Sequence, residues 1–422
     1  MANSPEPTRS DARGWFSRWN GLPLYLRILV GLVLGVVCGL LLGAAAQPFD
    51  WPAKLILRLL GALAPVLILV AVVRAIMTAD IHGRLAFRML GLLLLNTVTA
   101  IGVGLLVANV LRPGVGAHPV HPTTSPQVRG DIVSQLLDNV PDSLFRPFVD
   151  NRVIGVVLIA VAFGAAARRL RGPERALAEN LCELGFSVIL GVLHWVIALV
   201  PLAVFGKVAS IVGVSGFRPF VALGWFVAAV LVALLIQSTY YMLRIRLGSW
   251  VRPWALLRAT RDALVMAFST ASSTATMPVT YARLRERVGL REQSASLGAL
   301  VGSNFNNDGT ALYEAMAALF VAQLLGVHLS LTQQLLVVLT SVIASIGAAG
   351  IPEAGLVTMT LVFSAVKLPT EYIALLLTVD WFLDRCRTTI NVLGDMNVAC
   401  LLDGKTRETA LEPGPGSAEH LA

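Results

Sequence analysis

The sequence has little charge. Only 14% of its 422 residues are Asp, Glu, Lys or Arg, and 56% are hydrophobic, whereas soluble domains average about 25% charged residues. Its four cysteines stand singly in apolar stretches, which excludes a secreted disulfide scaffold and a cysteine metal site. A soluble protein of this size could not hide so much apolar surface, so we expect a membrane protein.

Lysine is also scarce. The chain has four lysines, so arginine carries nearly all the positive charge behind a net charge of +8. The arginines gather in short segments between apolar runs, and most of these segments fall on one side if the N-terminus is inside. This is the positive-inside pattern. The charge therefore indicates topology, and no nucleic-acid partner is expected.

Apolar runs of about 20 residues, enough to cross a bilayer core of about 30 Å, recur along the first part of the chain. They follow a polar N-terminal segment at 1–20 and predict a multi-pass protein embedded in a lipid bilayer. The predicted spans are 22–46, 52–78, 84–111, 151–170, 180–213 and 219–246.

Beyond about residue 250, two apolar segments are each interrupted by a small polar cluster that contains proline. The clusters are Ser269–Pro278 and Ser345–Gly355, and each is followed by a span with polar residues, at 293–325 and 369–401. This repeat of a helical hairpin plus an interrupted helix points to a transporter with a binding site near the bilayer midplane. The alternative is a pair of extramembrane loops rich in Ser and Gly.

The last apolar span carries several charges. A charge at mid-bilayer costs about 2.5–3.5 kcal/mol on insertion scales, so several on one helix need a functional reason. Five polar residues fall within about 80° of helical arc: Asp380, Asp384, Arg387, Asn391 and Asp395. The alternative is a stripe of ion pairs inside a bundle, with Asp384 and Arg387 paired at i, i+3. Because Arg offers a fork to a carboxylate and Asp accepts from an ammonium group, the stripe points to an acidic amino acid.

The penultimate span contains Asn306-Asn-Asp-Gly309, which favours a helix break. Freed carbonyls with Asn and Asp oxygens are hard ligands for a small cation such as Na⁺; the alternative is a turn between two shorter helices. Thr310 and Glu314 follow at four-residue spacing and are predicted to share a face with Asn306. Desolvation favours the protonated form of Glu314, which could carry a proton or pair with an arginine.

Two serines in the first interruption, Ser272 and Ser273, raise the question of a nucleophile. No base in the sequence stands in a plausible arrangement to activate them. We therefore expect a transporter and not an enzyme, with co-transported Na⁺ and no organic cofactor.

Two motif blocks resemble the dicarboxylate/amino acid:cation symporter family, which includes the glutamate transporters. One runs through Ser345–Met359, Leu368–Glu371 and Val379–Asp395, and the other is Asn306–Ala315. The blocks are most similar to the excitatory amino-acid transporter branch. The likeness is highly specific over about 254–400 and collinear over 22–250.

The resemblance implies an all-α membrane protein with eight transmembrane helices, inverted repeats and two re-entrant hairpins near 254–287 and 331–366. A scaffold formed by 21–82 and 150–216 would hold a homotrimer. A transport domain formed by 83–112 and 217–402 would move as an elevator. Residues 403–422 would form a cytoplasmic tail. The short loops suggest a bacterial inner membrane, that is, a plasma membrane location with both termini cytoplasmic.

The resemblance also implies a function, which is secondary active symport of glutamate and/or aspartate with Na⁺, and with H⁺ through Glu314. The residues implied to bind substrate are Ser272, Ser273, Thr310, Ile351, Gly355, Asp384, Arg387, Thr388 and Asn391. The residues implied to ligate Na⁺ are Gly302, Asn306, Asp308, Ser345, Ile346, Asn391 and Asp395.

Five residues depart from the family pattern. Asn307 stands for a Met, Asn304 for a Thr and Glu353 for a Gln, and Leu92-Leu93 stands where members often carry a tyrosine pair. Several of these positions lie near implied ion ligands, so the number and identity of the coupling ions stay open.

Other functions remain as alternatives. Within the same fold they are a neutral amino acid carrier, against which Arg387 argues, and a C4-dicarboxylate carrier, against which Asp384 argues. Outside the carriers the alternative is an anion channel or a transport-dead sensor. A channel needs a continuous pore, which two occluding hairpins would interrupt.

Overall fold

The computed structural model describes residues 22–78, 83–115, 141–150, 153–347 and 354–406. Within these ranges the chain is helical and contains no β-strand, which confirms the all-α prediction. The predicted segment 1–20, the tail beyond residue 406 and the predicted hairpin-tip residue Ile351 lie outside them.

The helices are α1 (Leu24–Leu42), α2 (Trp51–Thr78), α3 (Gly83–Leu111), α4 (Arg146–Val149), α5 (Val153–Ala167), α6 (Gly172–Ala198), α7 (Val200–Ser215), α8 (Arg218–Gly248), α9 (Pro253–Thr270), α10 (Ser273–Arg283), α11 (Glu292–Ala295), α12 (Gly302–Phe305), α13 (Asp308–Leu324), α14 (Leu331–Gly347), α15 (Ala354–Ala365) and α16 (Ile373–Asp403).

Helices α1, α2, α5, α6 and α7 pack mainly on one another. Helix α1 lies along α7, and its contact face carries glycines at four-residue spacing. A Cβ at Gly35 would lie 2.7 Å from the Phe205 carbonyl oxygen, and a Cβ at Gly39 would lie 2.7 Å from the Ala209 carbonyl oxygen. Small residues at this spacing let two helix backbones approach closely, as they do in membrane helix pairs.

The predicted spans differ from the observed helices at several ends, and two of these differences have a clear cause. The first helix ends at Leu42 and not at 46, because Gly43 adopts a φ of 55° and begins a 3₁₀ segment that leads directly into α2. The predicted span 180–213 begins earlier, at Gly172, and divides near Leu199 into α6 and α7. Pro201 accounts for the division, because it lacks the N–H that would continue the helical ladder.

The second group of helices surrounds α13 and α16. Helix α3 lies against α13, α8 lies against α16, and α13 and α16 pack on each other. Helix α13 is buried along nearly its whole length, including Asp308, Thr310 and Glu314. Buried polar groups are costly unless they find partners. The contacts of these three side chains therefore identify the candidate functional site.

Two helix pairs flank α16 and occupy the ranges of the predicted hairpins. In the first, α9 ends at Thr270 because the next residue, Ala271, adopts the left-handed conformation, and Ser272 caps α10 by accepting a bond from the Ala275 N–H at 3.1 Å. The second pair is α14 and α15, and residues 348–353 between them lie outside the described ranges. The re-entry of these pairs into a membrane stays a prediction.

Four helical stretches of the described residues are long and apolar enough to cross a membrane: Leu26–Arg74, Phe87–Leu111, Gly172–Ser215 and Pro219–Gly248. Large apolar side chains also face outward, among them Leu41 at 79% exposed and Trp225 at 68% exposed. Exposed apolar surface of this extent suits lipid better than water. The fold is that of a membrane protein, and the count of eight spans stays a prediction.

Candidate functional site: a buried charge cluster beside a helix break

Arg387 lies at the centre of a buried charge cluster on α16. Its Nη2 donates to Asp384 Oδ1 at 2.8 Å, and its Nη1 lies 3.0 Å from Asp380 Oδ1. The guanidinium also lies over the Tyr313 ring, 4.0 Å from the centroid, in a cation–π contact. The ion pair of Asp384 with Arg387, which the sequence offered as the alternative interpretation of this stripe, is present, and Asp380 joins it. Two carboxylates against one guanidinium leave a negative cluster that an ammonium group could neutralise.

The wall facing Arg387 is made of small side chains. A Cβ at Gly355, near the start of α15, would lie 3.4 Å from both terminal nitrogens of Arg387 and 3.2 Å from Thr310 Cγ2. Gly309 lies against the Arg387 backbone, where a Cβ would be 2.7 Å from the carbonyl oxygen. The structure therefore brings together three of the predicted substrate residues, Thr310, Gly355 and Arg387.

The tip of the first hairpin approaches the same region. Ser273 Oγ donates to the Ser303 carbonyl at 3.5 Å, which ties the start of α10 to α12. Ser272, the cap of α10, is also buried, as is Thr388 on α16. A helix start carries backbone N–H groups and a positive dipole end, which suit a carboxylate.

The chain breaks between α12 and α13 at Asn306 and Asn307, as the sequence predicts. Asn306 Nδ2 donates to the Asn391 carbonyl at 2.8 Å and to Asp395 Oδ1 at 2.9 Å. Its Oδ1 is buried and has no hydrogen-bond donor among the described residues. Gly302 lies against the same carboxylate, with a Cβ position 3.2 Å from Asp395 Oδ1. Amide, carbonyl and carboxylate oxygens gathered in this way are hard donors that fit Na⁺.

Asn391 and Asn307 connect this break to the second hairpin. Asn391 Oδ1 accepts from the Gly309 N–H at 2.8 Å, and its Nδ2 donates to Asn307 Oδ1 at 3.4 Å. Asn307 Nδ2 donates to the Ser345 carbonyl at 2.9 Å, near the end of α14 and next to Ile346. Asn307, which departs from the family pattern, therefore contacts a carbonyl that is itself a predicted Na⁺ ligand.

Glu314 is fully buried on α13 and accepts a hydrogen bond from the Thr358 hydroxyl on α15. Its Oε2 has no hydrogen-bond partner in the described ranges. The predicted face shared by Asn306, Thr310 and Glu314 is not a continuous helical face, because the chain breaks before α13 begins at Asp308. Helical spacing does not carry across that break.

Sequence reasoning missed several partners in this region. Asp308 Oδ1 accepts from Thr97 Oγ1 at 2.7 Å, and its Oδ2 accepts from the Tyr241 hydroxyl at 2.5 Å. Tyr313 under the guanidinium and Thr358 beside Glu314 were not predicted either. These partners come from helices distant in sequence, so no local spacing could have indicated them, whereas Asp380 already lay on the predicted stripe.

Comparison with known proteins confirms the resemblance to the symporter family that the motif blocks indicate. The family model of the sodium:dicarboxylate symporter family matches residues 24–405. The chain is 28% identical to excitatory amino acid transporter 1 of Ambystoma tigrinum over 475 aligned positions, which cover 95% of this chain and 86% of that protein. It is 28% identical to excitatory amino acid transporter 4 of Mus musculus over 467 positions, covering 88% and 82% respectively.

A shorter match is closer in sequence. The chain is 37% identical to excitatory amino acid transporter 1 of Homo sapiens over 260 positions, which cover 60% of this chain and 47% of that protein. The family model extends from the first residue of α1 to just beyond the end of α16. The chain is therefore a multi-pass membrane protein that belongs to the sodium:dicarboxylate symporter family.

Proposed function

We propose that the protein is a secondary active symporter that takes up acidic amino acids, glutamate and/or aspartate, coupled to Na⁺. The observation that carries this proposal is the buried cluster of Arg387 with Asp380 and Asp384. A guanidinium fork for a carboxylate next to an acceptor for an ammonium group matches an amino acid with a second carboxylate. The relatives that carry the name excitatory amino acid transporter support the same substrate class.

The substrate would lie between the two hairpin tips and α16. Arg387 and Thr310 would hold the side-chain carboxylate, while Asp384 and Thr388 would hold the amino group. The main-chain carboxylate would lie against Asn391 and the hairpin tips, which supply Ser272, Ser273, Ile351 and Gly355. To receive a carboxylate, Arg387 must exchange part of its present contact with the two aspartates, so substrate binding and rearrangement of this cluster would be coupled.

Sodium ions would be co-transported as substrates and held by oxygens at the helix break. One ion would use Gly302, Asn306, Asn391 and Asp395, the group whose geometry fits best. A second would involve Asn306 and Asp308, and a third the carbonyls of Ser345 and Ile346. Because the first ion would bind oxygens on both α12 and α16, it would join these two helices beside the substrate.

Glu314 would carry a proton. A buried carboxyl that receives one hydroxyl bond, from Thr358, and leaves its second oxygen without a partner in the described residues is suited to exist neutral. Proton loading with substrate and release on the other side would add H⁺ to the coupled ions.

The architecture would follow the family pattern. We propose eight transmembrane helices, two re-entrant hairpins, and a homotrimer built on the group of α1, α2, α5, α6 and α7. The group around α13 and α16 would move as an elevator. The protein would lie in a bacterial inner membrane with both termini in the cytoplasm.

Counterflow in proteoliposomes tests the carrier against a channel. Vesicles loaded with unlabelled aspartate and diluted into labelled aspartate should transiently accumulate label above its outside concentration, because a carrier exchanges one substrate for another. Succinate and serine loaded in parallel vesicles should drive little accumulation. A channel would only equilibrate the label, and this outcome would exclude the proposal.

A further inference from the structure

Asp308 belongs to a buried polar network that extends away from the substrate cluster. Both of its carboxylate oxygens accept hydroxyl bonds, from Thr97 on α3 and from Tyr241 on α8. The next residue on α3 is Asn96, which is fully buried. Its Nδ2 donates to Asn397 Oδ1 at 3.5 Å, and Asn397 Nδ2 donates to the Tyr241 carbonyl at 3.1 Å. Helices α3 and α8 therefore meet α13 at Asp308, and Asn397 ties α16 to the same network.

A permanent cation enters this network from α8. Arg244 lies three residues after Tyr241 and hence on the same helix face. Its Nη1 donates to Asn96 Oδ1, and its guanidinium lies 5.3 Å from the centroid of the Tyr240 ring. Arg244 also borders a surface pocket together with Arg88 and Lys405. An arginine stays ionised in proteins, so this charge is present throughout the transport cycle.

Two features of the network oppose a mobile sodium ion beside Asp308. The Asn96 amide oxygen, which could serve as a ligand, already accepts from Arg244. On the neighbouring turn of α3, the buried side chain of Leu93 is apolar and supplies no oxygen, and the Leu93 carbonyl accepts from the Thr97 hydroxyl. A fixed positive charge in the same low-dielectric network repels a second cation and stabilises the carboxylate that the second cation would otherwise neutralise.

We infer that the guanidinium of Arg244, a positive charge fixed to the chain, takes the place of one transported Na⁺ at Asp308. Arg244 would thus set the coupling number of this transporter, which is the number of Na⁺ ions that bind with each aspartate. The inference rests on the proposed Na⁺-coupled function and narrows it. It withdraws the proposed second ion at Asn306 and Asp308, so that only the ions at the Asp395 group and at the Ser345 carbonyl remain available for coupling. Arg244 is a positioning residue in this role, because it acts through Asn96 and not by touching the substrate.

Equilibrium binding measures the coupling number without transport. Aspartate affinity of the purified full chain in detergent would be determined by calorimetry over a series of Na⁺ concentrations. The slope of log affinity against log Na⁺ activity gives the number of Na⁺ ions that bind with aspartate, and we expect at most about two for the wild-type protein. Arg244→Gln should raise this slope by about one, because it vacates the Asn96 oxygen and removes the repelling charge.

Two variants serve as controls. Arg244→Lys keeps the tethered charge and should keep the wild-type slope. Arg246→Gln removes an exposed arginine two residues further along α8 and should also keep it. A wild-type slope of about three would overturn the inference by itself, and this result does not require Arg244→Gln to fold. Equal slopes in wild type and Arg244→Gln would also overturn it. A slope near zero would instead overturn the proposed Na⁺ coupling, which separates the two failures.

Discussion

Two pairs of packed helices are held together in different ways. Helices α1 and α7 approach through glycines, with backbone against backbone at Gly35 and Gly39. Helices α13 and α16 meet through buried polar groups, with Asn391 bonded to the Gly309 N–H and Arg387 stacked on Tyr313. The contacts of the first pair depend on shape, and those of the second depend on hydrogen bonds and charge.

This difference indicates where ligands can act. Steric packing between α1 and α7 is insensitive to substrate, Na⁺ or pH, so that pair suits a fixed support. The polar contacts of α13 and α16 exchange readily with those of an ammonium group, a carboxylate or a cation, so that pair suits a site that changes with each transport step. Substitutions in the two pairs should therefore affect different measurements.

The largest effect on transport is expected for Arg387→Cys. Loss of the charge-assisted contact should weaken aspartate binding by about 10- to 150-fold, equivalent to about 1.5–3 kcal/mol, and should admit small neutral amino acids. Competition of unlabelled amino acids against labelled substrate measures both changes. Arg385→Cys is the matched control, because Arg385 donates to the carbonyls of Phe268 and Ser269 instead of lying in the cluster. Unchanged aspartate affinity in Arg387→Cys would refute the assignment.

A selective effect is expected for Glu314→Gln. The amide mimics the protonated carboxyl, so the variant should still exchange internal for external aspartate but should lose net, proton-linked uptake. Exchange and net uptake can be measured in the same vesicles at several pH values. Glu286→Gln, whose side chain is 66% exposed, should change neither. If Glu314→Gln keeps wild-type net uptake and pH dependence, Glu314 is only a structural partner of Thr358.

A smaller effect is expected for Asp395→Asn. Replacing one charged ligand by a neutral amide should raise the Na⁺ concentration for half-maximal aspartate binding by about tenfold, or about 1.4 kcal/mol. Asp403→Asn, at the end of the same helix where Asp403 bonds Trp250 and Arg291, should leave that concentration unchanged. Identical Na⁺ dependence of Asp395→Asn and wild type would remove Asp395 from the ligand set.

The smallest effect on transport is expected for Gly35→Ala. The new Cβ would overlap the Phe205 carbonyl and should lower stability by about 1–3 kcal/mol, seen as a lower Tm in detergent, while aspartate affinity of the folded protein stays the same. Gly61→Ala in α2 has no atom within 4 Å of the new Cβ and should keep or slightly raise the Tm. A changed aspartate affinity in Gly35→Ala would show that the two helix pairs are not separate in function.

Much of the site follows from local sequence patterns. The polar stripe of α16 needs only helical periodicity, and the Asp384–Arg387 pair needs only i, i+3 spacing. The break at Asn306 and Asn307 needs only the poor helix propensity of Asn-Asn-Asp-Gly. These features were predicted because their physical cause lies within a few residues of each other.

Other parts depend on which distant helices meet. The hydroxyl of Tyr241 reaches Asp308 only because α8 and α13 both pack near α16, and Thr358 reaches Glu314 only because α15 returns beside α13. Helix ends were also placed imprecisely. A hydrophobic run continues through Gly43 and Leu199, whereas backbone conformation ends the helices there.

Uptake of labelled aspartate into proteoliposomes, with Na⁺, K⁺ and pH gradients imposed one at a time, tests the central claim most directly. The proposed mechanism predicts that an inward Na⁺ gradient alone drives aspartate above its equilibrium concentration, and that equal Na⁺ on both sides abolishes this accumulation. Aspartate that only equilibrates, or accumulation that ignores the Na⁺ gradient, would contradict Na⁺-coupled symport.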